Sequence, residues 1–274
     1  MTTIEAFGPF VIDELIAETQ MTAIGKTTFA GRPAAIKFLS HHVAGSGEHQ
    51  QLLEREGVIL ERVQGTTGIV RLLERGSIGE RPYLVLEMLA GIPLRVALDE
   101  GSAPPVESLL AQLAPVIAHL GAREVVHGDW TPANLVVDPE GSCTLIDFGI
   151  AWAPSLFPGD DPTSVRGTWG YMAPEQARGE LLSSRTDVYG LGLLLGERIL
   201  ADSLLPRTRE PRTLMAMAQG VAKDAAVFEL APVWLRAMLH RMLAHSPADR
   251  PSPEELAAFA SRLSATKRPS RDES

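Results

Sequence analysis

The sequence has 274 residues, enough for one large or two modest domains at about 150 residues each. Lys and Arg number 25 against 34 Asp and Glu, a net charge of −9, and this acidic balance excludes a duplex-binding surface built to neutralise phosphates. Hydrophobic residues at 45% and charged residues at 22% exclude the composition of a disordered chain, and the single cysteine, Cys143, excludes an internal disulfide or a thiol-rich zinc site.

The first residues, Met1-Thr2-Thr3-Ile4-Glu5, carry no basic leader, and no stretch approaches the roughly 18 apolar residues of a membrane helix, so a soluble cytoplasmic protein is expected. Residues 33–39 form a short apolar run broken by Lys37, which reads as a strand. Over residues 51–63, Leu52, Leu53, Ile59, Leu60 and Val63 recur at helical spacing among Glu and Arg, the pattern of an amphipathic helix. Residues 69–73 and 83–86 read as two further strands joined by a polar turn over 76–82.

After Gly91 the pattern becomes helical. Leu109, Leu110, Leu113, Val116, Ile117 and Leu120 share one face, with Pro115 expected to kink the helix. Residues 135–137 and 144–146 flank Asp138-Pro139-Glu140-Gly141, a turn sequence that predicts a small hairpin. Residues 190–200 predict a strongly apolar helix. Ser252-Pro253-Glu254-Glu255 predicts the start of a last one, with Ser as N-cap and Pro in the first turn. Residues 265–274 read as a frayed tail. The tempting Gly25-Lys26-Thr27 is not a Walker loop, because Gln20 stands where that loop needs its first glycine.

The chemistry-bearing signal is an ordered series rather than a single motif. Taken alone, Lys37 reads as a solvated strand lysine, Asp129 as a turn cap and His127 as a core histidine. In order, however, the chain presents Lys37, Glu56, His127-Gly128-Asp129-Trp130-Thr131-Pro132-Ala133-Asn134, Asp147-Phe148-Gly149 and Ala173-Pro174-Glu175. This order resembles the protein kinase superfamily over about residues 10 to 262. Residues 167–176, Gly-Thr-Trp-Gly-Tyr-Met-Ala-Pro-Glu-Gln, resemble the bacterial branch of eukaryotic-like Ser/Thr protein kinases. Asp187-Val188-Tyr189-Gly190-Leu191-Gly192 resembles the start of that family's buried central helix, and Asp249-Arg250-Pro251 resembles the late motif whose Arg pairs with the Glu of Ala-Pro-Glu.

The resemblance implies an α+β, two-lobed fold. A small antiparallel-sheet N-lobe with one main helix would span about residues 10–86, a hinge 87–91, and a larger, mostly helical C-lobe about 92–264. It also implies ATP with Mg²⁺ or Mn²⁺, and a protein substrate or regulatory protein partner, with neither nucleic acid nor a membrane span. Phosphoryl transfer needs charge neutralised on a triphosphate, metal held against it and a hydroxyl oriented in line. Lys37 would contact the α- and β-phosphates, fixed by Glu56; Asp147 and Asn134 would be the oxygen ligands of the metal; Asp129, with one carboxylate oxygen free, would accept the hydroxyl proton. The adenine would lie against Ile24, Ala35 and Val136, with Leu86 behind it and the backbone of Glu87 and Leu89 at its edge, while Leu60, Leu72, His127 and Phe148 would form an internal column.

The pattern departs from the family at three places. Ala17, Thr19 and Thr22 stand where the phosphate loop has glycines, which restricts its closure, although threonine hydroxyls could donate to phosphate. Thr131 replaces a Lys that touches the transferred phosphate, a donor whose loss costs on the order of 10²- to 10³-fold in rate. Gly128 replaces an Arg that receives an activation-segment phosphate, so phosphorylation of Thr163 or Ser164 is not expected to switch activity through that pair. Two other readings stay open: a pseudokinase acting as a nucleotide-binding or scaffolding module, and a small-molecule phosphotransferase, which the His-Gly-Asp form also resembles.

Overall fold

The computed structural model describes residues 5–161 and 164–266, divided between two units. The first comprises the chain up to Gly65 together with 69–90 and 146–149. Its strands are β1 (Glu5–Phe7), β2 (Phe10–Ile12), β3 (Glu14–Glu18), β4 (Thr22–Phe29) and β5 (Arg32–Leu39); then come helix α1 (Gly47–Val63), β6 (Leu72–Ile78) and β7 (Arg81–Glu87). β1 and β2 pair as a hairpin, and the other five strands form an antiparallel sheet in the order β3-β4-β5-β7-β6.

Period-two alternation gives this sheet its two faces. Ala23, Ala34, Ile36, Phe38 and Val85 point to one side, where Phe7, Phe10 and Ile12 of the hairpin close a core over them. Phe7 stacks on Phe38 at 4.6 Å between ring centroids. On the other side α1 packs against β7, β6 and β5, burying Leu53, Glu56, Ile59, Leu60 and Val63. Gly57 permits this approach: a Cβ there would lie 2.7 Å from Leu84 Cδ2 and 2.9 Å from Arg75 Cδ.

Two sequence expectations shift in this unit. The strand placed at 69–73 runs instead from Leu72 to Ile78, so the turn placed at 76–82 shrinks to Gly79-Glu80, with Gly79 at φ 61°. β6 is an edge strand with mixed burial, and its apolar content did not mark it; Ile69 and Val70 are buried but precede it. α1 starts at Gly47 rather than 51, because its first turn, Gly-Glu-His-Gln, has no apolar residue to carry periodicity.

The second unit takes in residues 66–68, 91–145 and 150 onward. Its elements are β8 (Ile92–Pro93), α2 (Leu94–Asp99), α3 (Val106–Gly121), β9 (Leu135–Val137), β10 (Cys143–Leu145), α4 (Pro174–Ala177), α5 (Ser184–Leu200), α6 (Pro211–Gln219), α7 (Ala226–Leu230), α8 (Val233–Met242) and α9 (Pro253–Thr266). β9 pairs with β10 as the predicted hairpin and with β8 on its other edge. α3 packs against α5 and α9, and α5 against α8. All six apolar residues named on α3 are buried, and the helix runs on through Pro115. The fold is the expected α+β architecture: an antiparallel sheet with one main helix, then a mostly helical unit.

Caps explain where two helices start. α5 begins six residues before its apolar run, because Ser183 closes its first turn, accepting from Arg185 N–H at 3.3 Å. Ser252 Oγ accepts from Glu255 N–H at 3.2 Å, as its N-cap reading predicted. Thr163 and most of the expected tail, 267–274, lie outside the described residues. Among the described residues no helix is long and apolar enough to cross a membrane.

Candidate active site

The first unit carries a buried ion cluster. Lys37 stands on β5, the middle strand of the sheet, facing α1, and its Nζ donates to Glu56 Oε1 at 2.7 Å, to Glu56 Oε2 at 2.8 Å and to Asp147 Oδ1 at 2.8 Å. These three bonds use all three donors of the ammonium. Burial alone would lower the Lys37 pKa, but the Glu56 and Asp147 carboxylates outweigh it and hold the ammonium firmly protonated, well above the usual lysine value. Glu56 is fixed further by Phe148 N–H, which donates to Oε1 at 3.3 Å.

Asp147 differs from its partners. Its side chain is 49% exposed, against 5% and 3% for Lys37 and Glu56, and its backbone is left-handed at φ 62°. A non-glycine residue in that conformation costs on the order of 1 kcal/mol or more, which the surrounding bonds must offset. Gly149 N–H supplies one, donating to Asp147 Oδ1 at 3.1 Å.

An apolar patch adjoins the cluster. Ile24 lies directly opposite Lys37 on β4, Ala35 is two residues before it on β5, and Leu86 is opposite Ala35 on β7, so all share the Lys37 face. Ile24 and Ala35 are half-buried and Leu86 is buried. Glu87 ends β7, its Oε1 accepting from Arg71 N–H at 2.7 Å; Leu89 follows, half-buried. Val136, on β9, is a half-buried member of the second unit.

The segment expected to cover phosphates is closed on itself. Ala17 sits in β3, and the turn from Thr19 to Thr22 links β3 to β4. Thr19 Oγ1 donates to the Thr22 carbonyl at 3.1 Å and accepts from the N–H groups of Met21 at 3.2 Å and Thr22 at 3.0 Å. Thr19 N–H donates to the Thr22 carbonyl at 2.8 Å, and Ser40 Oγ donates to the Thr19 carbonyl at 2.9 Å. Of the two hydroxyls suggested as phosphate donors, that of Thr19 is therefore engaged within the turn, and that of Thr22 lies 3.3 Å from it.

The second unit carries an acid–amide loop. Asn134 Nδ2 donates to Asp129 Oδ2 at 2.7 Å and to the Asp129 carbonyl at 3.0 Å. Thr168 N–H donates to Asp129 Oδ1 at 2.9 Å. The free oxygen expected on Asp129 is thus absent, although each oxygen keeps a second lone pair able to accept a proton. The loop is held from below by Asp187 of α5, whose Oδ1 accepts from Gly128 N–H at 2.8 Å and Oδ2 from His127 N–H at 2.9 Å. Gly128, at φ 74°, adopts a backbone that an arginine would strain.

Burial pushes the Asp187 carboxyl up from 3.8 to about 7, against the pull of the Gly128 and His127 amides. An acid that holds its proton more tightly folded than unfolded stabilises fully below its unfolded pKa, and loses that contribution as pH rises through the folded one. Stability measured by chemical denaturation should therefore decline across the window from about pH 4 to about pH 7, and Asp187→Asn should flatten that slope. An identical slope in the variant would assign the titration to another group.

The structure thus brings together Lys37, Glu56 and Asp147 in one unit, and Asp129 and Asn134 in the other. Of the expected column, Leu60, His127 and Phe148 are buried and Leu72 is half-buried. Sequence reasoning missed the backbone amides of Thr168 and Phe148, which no side-chain motif announces. It also missed Gln176, although that residue directly follows Ala-Pro-Glu and could have been questioned as a buried amide. Among the described residues no cluster of three or more His, Cys, Asp or Glu could cage a metal. Mg²⁺ does not need one, since one or two protein oxygens and substrate phosphates suffice; the half-exposed Asp147 carboxyl in the first unit and the Asn134 amide oxygen in the second are each donors of the hard type it takes.

A sheet unit with an α1 glutamate locking a strand lysine, and a helical unit with an Asp–Asn loop set on its central helix, define a kinase-type protein. Residues 22–259 match the protein kinase domain model, and the chain belongs to the protein kinase family. It is 28% identical over 225 residues to the serine/threonine-protein kinase PknL of Mycobacterium tuberculosis, covering 80% of this chain and 56% of that protein. It is 32% identical over 255 residues to the serine/threonine-protein kinase PkaA of Streptomyces coelicolor, covering 88% and 45%. With PrkC of Bacillus subtilis, also a serine/threonine-protein kinase, it shares 33% identity over 169 residues, covering 61% and 26%. The matched region spans about half of these relatives' length or less.

Proposed function

We propose that this chain is a Ser/Thr protein kinase that transfers the γ-phosphate of ATP to a protein hydroxyl. The observation that carries the reading is the Lys37 ammonium, held on Glu56 and also reaching Asp147, in a chain of the kinase family. Lys37 would take the α- and β-phosphates by giving up its bond to Asp147, while its bonds to Glu56 hold its position. Ile24, Ala35 and Leu86 would receive the purine on the shared apolar face, with Val136 as a further apolar contact, while Glu87 and Leu89 offer backbone groups to its edge. Asp147 and Asn134 would hold Mg²⁺, which when bound neutralises charge on the phosphates. Asp129 would accept the hydroxyl proton on a remaining lone pair, with Asn134 and Thr168 fixing the carboxylate's angle.

A second reading is a pseudokinase scaffold. The observation favouring it is the Thr19–Thr22 turn, whose Met21 and Thr22 amides are spent on Thr19 and not offered to phosphate. Incubating the chain with γ-labelled ATP, Mg²⁺ and a protein acceptor separates the two. Label recovered on serine or threonine supports the kinase; no label with Mg²⁺ or Mn²⁺ supports the scaffold. Label on a metabolite but never on protein would indicate a small-molecule phosphotransferase instead.

A further inference from the structure

Gln176 sits in α4, 4% exposed, and every hydrogen-bonding group of its amide is committed. Nε2 donates to the Gly128 carbonyl at 2.8 Å and to the Arg166 carbonyl at 3.2 Å, while Oε1 accepts from Ala173 N–H at 3.0 Å. The reverse orientation would set an oxygen against two carbonyl oxygens, so the bonding pattern fixes which end is which. A buried amide satisfied in this way has one conformation available to it.

The two carbonyls belong to different segments. Gly128 immediately precedes Asp129, and Arg166 lies two residues before Thr168, whose N–H bonds Asp129 Oδ1. The Gln176 amide and the Asp129 carboxylate therefore cross-link the same two stretches of chain, a residue or two apart. Both stretches bend through glycine at the crossing: Gly128 at φ 74° and Gly167 at φ 139°. A Cβ on Gly167 would lie 3.0 Å from Met172 Cγ and 3.4 Å from Gln176 Nε2, so the segment lies close against the amide. The base of the clamp is itself anchored, since the neighbouring Glu175 is held by Arg250 at 2.6 and 2.8 Å.

Building on the kinase reading above, we propose that Gln176 is a positioning residue for phosphoryl transfer. It clamps the 166–168 segment to the Asp129 loop and so keeps Thr168 N–H on the Asp129 carboxylate without any phosphate on that segment. The clamp supplies a tie that neither Thr131 nor Gly128 can, the first with its short side chain and the second with none. Gln176 touches no substrate in this role; it acts through Asp129.

Gln176→Glu discriminates this role from simple helix capping. A glutamate keeps the acceptor for Ala173 N–H but turns an oxygen on the Gly128 and Arg166 carbonyls in place of the donor. Gln176→Met, which adds no charge, guards against a variant that fails to fold. Amide hydrogen exchange at Thr168 should accelerate about tenfold or more in both variants, as loss of a bond worth about 1.4 kcal/mol requires, while exchange at Leu191 and Leu194 in α5 stays unchanged. In transfer assays kcat should fall about tenfold with the KM for ATP within about twofold, because the Lys37 cluster is untouched. Thr168 exchange unchanged in both variants would overturn the clamp, as would α5 exchange rising in step with it. Faster Thr168 exchange in a chain that transfers no phosphate even unsubstituted would overturn the kinase reading, and the positioning role with it.

Discussion

Asp147→Asn is expected to cut phosphate transfer by on the order of 10³-fold or more, because a metal-held charge is worth several kcal/mol in the transition state and each 1.36 kcal/mol is a factor of ten. The substitution is nearly isosteric but replaces the one carboxylate of the Lys37 cluster that stands half-exposed, with 49% of its side chain accessible against 3% for Glu56. Lys37 keeps both of its bonds to Glu56, at 2.7 and 2.8 Å, so the ammonium stays fixed. Because Asp147 is half in solvent, the lost ion pair is screened and should cost about 1 kcal/mol of stability or less. Labelled transfer and thermal unfolding measured on the same preparations check both parts. Activity within about tenfold of the unsubstituted chain would remove Asp147 from the chemistry; a large loss of melting temperature would reassign it to the fold.

The parts of this molecule that were readable in its sequence are those where one residue type has one physical reason to be in place. Lys37 alone reads as a solvated strand lysine, and it became legible only in order with Glu56 on the next helix, which meets it at 2.7 Å. The Ser252 cap was legible because Ser, Pro and Glu each favour a helix start for separate reasons. The six apolar residues of α3 were legible through spacing alone. Illegible features depend on partners far along the chain or on the backbone. The Thr168 N–H that meets Asp129 carries no side-chain signature. The closure of the Thr19–Thr22 turn arises from local Thr–backbone bonds that a phosphate-loop alignment does not weigh. β6 escaped because an edge strand with one solvated side lacks a continuous apolar run, and the polar Gly76 and Ser77 looked like turn rather than strand.

These features divide the second unit into two kinds of linkage around the 166–176 stretch. One kind is directional and made by uncharged donors: Gln176 to the Gly128 and Arg166 carbonyls, and Thr168 N–H to the Asp129 carboxylate. The other is ionic and structural, and includes the cluster in which Glu197 of α5 accepts from Tyr171 at 2.5 Å and pairs with Arg95 and Arg207. Burial opposes ionisation of Glu197, but Tyr171, Arg95 and Arg207 outweigh it and hold its carboxyl below the usual range. The uncharged donors set angles at Asp129, whereas Tyr171 and Glu175 fasten the stretch to Glu197 of α5 and to Arg250.

Among these ion pairs the one between Arg250 and Glu175 should carry the largest stability effect. Both residues are 1% exposed, and the guanidinium meets the carboxylate in a bidentate fork, Nη1 to Oε1 at 2.6 Å and Nη2 to Oε2 at 2.8 Å. The remaining donors are used as well, on the carbonyls of Ala244 at 2.8 Å, Arg185 at 3.1 Å and His245 at 3.1 Å. Truncation by Arg250→Ala would leave a buried carboxylate without its cation and three carbonyls without their donor. Breaking a buried pair from one side costs about 3–5 kcal/mol, which for a chain of this size is a fall in melting temperature of roughly 6–20 °C. Arg250→Lys should recover only part of that loss, since an ammonium cannot fill a planar fork. Glu175→Gln should cost less than Arg250→Ala, because Thr186 Oγ1, which donates to Glu175 Oε1 at 2.9 Å, can still find an amide oxygen. Calorimetric melting of the three variants gives the order Arg250→Ala lowest, then Arg250→Lys and Glu175→Gln. A melting temperature for Arg250→Ala within about 2 °C of the unsubstituted chain would mean that the fork is replaceable by water and does not hold the segment down.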